Sequence, residues 1–101
     1  MNVKQLAESA QSGGNPPAGL SVALKALWLA RAGRWDAAHD LCEDIDGYAG
    51  AWIHAHLHRV EGDLPNAAYW YDRAGKPTPE GQGQLGEEWN EIAEEIMTNA
   101  E

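Results

Sequence analysis

The chain has 101 residues and a formal charge of −9, from 16 Asp plus Glu against 7 Lys plus Arg, and 44% of it is apolar. That length fits one domain around one core, and the apolar fraction excludes a chain disordered throughout. So acidic a surface repels nucleic acid and anionic lipid, so neither is expected as a partner. The single cysteine, Cys42, excludes an internal disulfide.

In chain order, Asn2 to about Gln11 places Val3, Leu6, Ala7 and Ala10 at helical spacing. Such a short helix persists only if it docks on something, in this chain or in a neighbour. Ser12-Gly13-Gly14-Asn15-Pro16-Pro17 then breaks the chain and forms the clearest linker. A helix is predicted from about Ala18 to Ala32, apolar on nearly all sides and ended by Gly33. The next runs from about Trp35 to Ile45, with Ala38, Leu41, Cys42 and Ile45 on one stripe, and Asp46-Gly47 closes it.

A further helix is predicted from about Tyr48 to Glu61, stopped by Gly62; Asp63 then stands as an N-cap for the helix Leu64 to Ala74, and Pro65 falls in its first turn. Gly75-Lys76-Pro77-Thr78-Pro79 ends that helix. After a Gly/Gln-rich spacer, Leu85, Trp89, Ile92, Ala93, Ile96 and Met97 form an amphipathic stripe. Glu87, Glu88, Glu91, Glu94, Glu95 and Glu101 make this end acidic, and the paired carboxylates are expected on its solvated face. No alternation typical of strands occurs, so the fold class is all-α with five to six helices. The beginning MNVKQLAESAQSGG carries no apolar signal-like run and no stretch reaches membrane length, so a cytoplasmic setting is expected.

Internal repetition organises the middle. Gly33-Arg34-Trp35-Asp36-Ala37-Ala38 aligns with Gly62-Asp63-Leu64-Pro65-Asn66-Ala67, an offset of 29 residues that also sets Cys42 opposite Tyr71 and Ala26 opposite Ala55. With Ala55, Gly62-Asp63, Ala67, Tyr71, Ala74 and Pro79 in these places, the second unit resembles the tetratricopeptide repeat family. The first unit matches at Ala26, Gly33 and Ala38, but has Cys42 where the family has an aromatic residue. The family repeat is about 34 residues, so the junction is shortened.

The resemblance implies antiparallel helical hairpins, a fragment of a right-handed α–α superhelix. It divides the chain into an N-terminal helix and linker (1–17), two hairpin repeats (18–79) and an acidic capping helix (80–101). Two repeats leave apolar ends, so the terminal helices or a second copy of the chain, giving a homodimer, are expected to cover them. It also implies a non-catalytic interaction module whose first helices line a peptide groove. Position by position, that groove takes Leu20, Leu27 and Arg31 from the first unit and Trp52, His56 and Arg59 from the second. Two neighbouring guanidinium groups beside a Trp suit an acidic peptide or partner protein.

Outside the groove, His54 and His58 are four residues apart on one helix face, with Glu61 one turn further, a spacing that can hold a metal. Besides His56, assigned to the groove, only His39 remains as another histidine, and Ala55 stands where metalloprotease helices carry a glutamate. Histidines packed in or beside the repeat core, with no cofactor, are the expectation; a metal or small-molecule face at His54, His58 and Glu61 is the alternative. Cys42 is expected to be buried filler rather than a nucleophile, and nothing pairs a nucleophile with a base and an orienting acid, so no enzyme is expected.

Overall fold

The computed structural model describes residues 1–99 and consists, over that range, of six helices and no strand. They are α1 (Val3–Ser12), α2 (Val22–Arg31), α3 (Trp35–Cys42), α4 (Gly47–Glu61), α5 (Leu64–Ala74) and α6 (Leu85–Asn99). Glu101, counted above with the acidic end, lies outside the described residues. None of the helices is long and apolar enough to cross a membrane.

Local chemistry sets most boundaries. The Asn2 side chain accepts from the Gln5 N–H at 2.8 Å while the Gln5 amide oxygen accepts from the Asn2 N–H at 2.9 Å, a reciprocal cap that starts α1. α2 begins at Val22, four residues later than composition suggests. Gly19 adopts a positive φ of 86°, and the Ser21 hydroxyl accepts from the Leu24 N–H at 3.2 Å. A side-chain cap thus overrides the helix propensity of Ala18 and Leu20. α3 stops at Cys42 rather than Ile45, because the Asp44 and Ile45 N–H groups bond back to the carbonyls of Leu41 and Cys42 in a tight turn. That turn presses on α4, where a Cβ on Gly50 would lie 2.2 Å from the Ile45 carbonyl oxygen. At the next junction Gly62 takes φ 87°, and Asp63 accepts from the Asn66 N–H, as its position predicted.

Consecutive helices pair, α2 with α3 and α4 most extensively with α5, while α6 lies against α4 and α2. α4 is the central element, and every residue from Gly50 to Arg59 is buried. Trp28, Trp52 and Trp89 are buried and Trp35 and Trp70 half-buried. Buried indoles need an acceptor for N–H. Trp28 donates to the Ser9 hydroxyl at 3.0 Å, Trp35 to the Leu57 carbonyl at 2.7 Å, and Trp89 to the Leu27 carbonyl at 2.8 Å. The first of these bonds, with buried Leu6 and Ala10, docks α1 on its own chain.

Candidate functional site

The residues assigned to a peptide groove do not form an open surface. Leu27, Trp52, His56 and Arg59 are buried, and Leu20 is half-buried in the turn before α2. The helix lying over them is the chain's own α6. The Arg59 guanidinium, 3% exposed, donates through Nη1 to Glu88 Oε1 at 2.8 Å. Its Nε and Nη2 donate to the carbonyls of Gly81 and Gly83 in the spacer before α6. His56 Nδ1 donates to the same Glu88 oxygen at 2.6 Å, and the Tyr71 hydroxyl donates to the other. Arg31 faces α6 too, but stacks on Trp89 with 4.9 Å from guanidinium carbon to ring centroid. The two arginines thus engage different residues of one helix.

Glu88 corrects the reading of the paired acids as a solvated face: it is 8% exposed and meets Arg59, His56 and Tyr71. Burial alone would raise its pKa, but the hydrogen bonds from His56 and Tyr71 and the charges of His56 and Arg59 outweigh it and hold the carboxyl below its ordinary value. Burial, then the Glu88 carboxylate, pushes the Tyr71 phenol up, so it stays a donor. The acid-recognising chemistry expected of the groove is present, and this chain satisfies it internally. What remains is a cleft of about 360 Å³ between Trp52, Lys76 and Glu91, with Lys76 Nζ placed 4.2 Å from the Trp52 ring centroid.

The histidines gather on the opposite side of α4. His54 and His58 share a face, as their spacing requires, and α3 brings His39 against them. His39 Nε2 and His54 Nε2 lie 2.9 Å apart, and one ring nitrogen from each of the three histidines falls within 4.8 Å of the others. Two indoles hold the rings. Trp35 stacks on His39 at 4.8 Å between centroids, and Trp70 from α5 stacks on His54 at 3.9 Å, tilted by only 8°. The nitrogens facing away from this convergence meet carboxylates: Glu61 accepts from His58 Nδ1 at 2.7 Å, and Glu43 lies 3.6 Å from His39 Nδ1. Glu61 therefore stands behind His58 as an orienting group rather than as a third ligand. Burial, then the neighbouring His39 and His58, pushes the His54 pKa down to about 4. At neutral pH its imidazole is uncharged, the form that ligates metal.

Cys42 is buried beside this group with Sγ donating to the Gly50 carbonyl at 3.4 Å. Burial, then Glu43, pushes its thiol up to about 12, consistent with filler. Sequence reasoning named His39 without joining it to His54, and passed over Trp70 as a wall of the site. Their spacing in the chain carries no sign of the contact, which the packing of α3 and α5 on α4 creates.

No protein-family model, curated protein or solved structure matches this chain. The likeness to tetratricopeptide repeats therefore rests on the sequence motifs alone.

Proposed function

We propose that this protein binds a divalent first-row transition metal through His39, His54 and His58. The observation that carries the reading is the convergence of three imidazoles from two helices, with carboxylates on the far nitrogens of two of them. A hydrogen-bonded carboxylate such as Glu61 on His58 fixes tautomer and ring orientation and raises ligand basicity. Tetrahedral zinc with bonds of about 2.0–2.1 Å sets its nitrogens roughly 3.3 Å apart. An ion would replace the 2.9 Å hydrogen bond between the His39 and His54 nitrogens and draw in the His58 nitrogen, which lies within 4.8 Å of both. Imidazole ligands suit zinc, copper, nickel and cobalt rather than magnesium or calcium.

Peptide binding in the groove has less support, because an incoming peptide would have to displace α6 and break the contacts to Glu88. The metal site asks for no such displacement. The decisive experiment is calorimetric titration of chelator-treated protein with Zn(II), beside His39→Ala and Glu61→Gln. One ion per chain is expected, with affinity reduced about 10- to 100-fold in Glu61→Gln and at least as much in His39→Ala. The His39 side chain is 23% exposed and packs on Trp35, so circular dichroism must first show that His39→Ala keeps the helical fold. Equal zinc affinity in wild type and His39→Ala would refute the assignment.

A further inference from the structure

Three protein ligands leave a tetrahedral ion one position short, and the surroundings of the histidines indicate what completes it. Among the described residues no fourth histidine, cysteine or carboxylate joins His39, His54 and His58 in one convergent set. The Cys42 sulfur is engaged with the Gly50 carbonyl and lies outside that convergent set. Closed structural sites take four protein ligands, while a site with three keeps a place for water or substrate.

One of the three histidines also lines a cleft. His54 lines a hollow of about 540 Å³ with Tyr48, Trp70, Arg73, Glu43 and Asp46 among its other walls. Trp70 and Tyr48 supply apolar surface, and the Trp70 ring is the one that backs His54. Arg73 rests its guanidinium 5.6 Å from the ring centroids of Trp70 and Tyr69 and donates once, to the Tyr69 hydroxyl at 3.3 Å. Among the described residues no carboxylate pairs with it. The formal charges on the lining residues are Glu43, Asp46 and Arg73, one negative overall, which repels anions from the empty site. A divalent ion at the histidines reverses this to one positive.

Resting on the metal reading above, we infer that the fourth coordination position opens to this cleft and takes a small monoanion of the carboxylate class, and that the bound metal switches anion binding on. The ion supplies the bond and the net charge. Arg73 supplies a second attraction, and Trp70 and Tyr48 accommodate an apolar tail.

The test uses the full chain loaded with Co(II), whose visible bands report its coordination sphere. Sodium acetate is titrated in at ionic strength held constant with perchlorate, beside Arg73→Gln and beside the metal-free protein followed by calorimetry. A saturable change of the cobalt bands is expected, with no acetate heat in the metal-free protein. Arg73→Gln should bind cobalt as wild type does and acetate about two- to fivefold more weakly, the size of an exposed charge pair. Cobalt bands indifferent to acetate overturn the open position and leave the metal centre standing. Equal acetate binding with and without metal, or in Arg73→Gln, overturns the charge argument. A chain that takes up no Co(II) overturns the metal centre and this inference with it.

Discussion

Replacing Glu88 by alanine tests how α6 is held. In the wild type one carboxylate answers three buried donors: Arg59, His56 and the Tyr71 hydroxyl. Removing one partner of a buried ion pair costs about 3–5 kcal/mol, because the stranded charge stays out of water. Arg59 keeps its bonds to the carbonyls of Gly81 and Gly83, and the adjoining cleft of about 360 Å³ admits solvent, so the cost should fall toward the lower end. A loss of about 3 kcal/mol is a large share of the 5–15 kcal/mol that stabilises a domain of this size. Urea unfolding followed by circular dichroism measures it, with Arg59→Met and the double substitution closing a cycle. Replacing both charges by apolar groups should recover much of the loss, since a paired buried charge adds little over an apolar filling. A Glu88→Ala loss under about 1 kcal/mol would refute the claim that this carboxylate anchors α6.

The other buried polar groups give sharper single tests. Tyr71→Ala should destabilise by about 3–5 kcal/mol and Tyr71→Phe by about 1.5–3, separating the ring from its bond to Glu88; thermal or urea melting decides, and a Tyr71→Phe loss near zero would dismiss the hydroxyl. Cys42 should resist iodoacetamide at neutral pH in the native state and react only at the rate of unfolding, so rapid labelling would contradict its burial. Metal-free protein should lose stability as pH falls from the ordinary histidine value of 6.5 toward about 4, since the unfolded chain takes up a proton there that native His54 refuses. Below that window the loss continues as Glu88, held low in the fold, is protonated; a urea midpoint flat from about pH 7 to 5 would show His54 solvated.

Features decided by neighbours in sequence were legible. The Gly62-Asp63-Leu64-Pro65 junction and the stripe Leu85, Trp89, Ile92, Ile96 state their turn and their buried face in the residues themselves. The start of α2 misled because Ala18 and Leu20 favour helix, whereas the Ser21 cap and the positive φ of Gly19 decide the boundary. Glu88 was readable in principle: three residues after Leu85 and four before Ile92, it falls on the apolar stripe, and an acid there needs a buried donor. What stayed hidden depends on helices meeting across the fold. The i, i+4, i+7 spacing of Trp52, His56 and Arg59 sets them on one face of α4, but nothing in it says that α6 lies over them. Likewise His39 meets His54 where the absence of a Cβ on Gly50 lets the turn after α3 lie close against α4.

The bond from Trp89 to the Leu27 carbonyl spans 62 residues and closes the molecule late in the order of synthesis. The α2/α3 and α4/α5 hairpins can form from short-range contacts as they emerge from the ribosome, which favours fast local folding. Until α6 follows, Leu27 and Trp52 lack their cover and Arg59 lacks its carboxylate. The nascent chain therefore passes through a stage with an apolar, positively charged face open to solvent, the period in which it most needs a chaperone and is most exposed to aggregation.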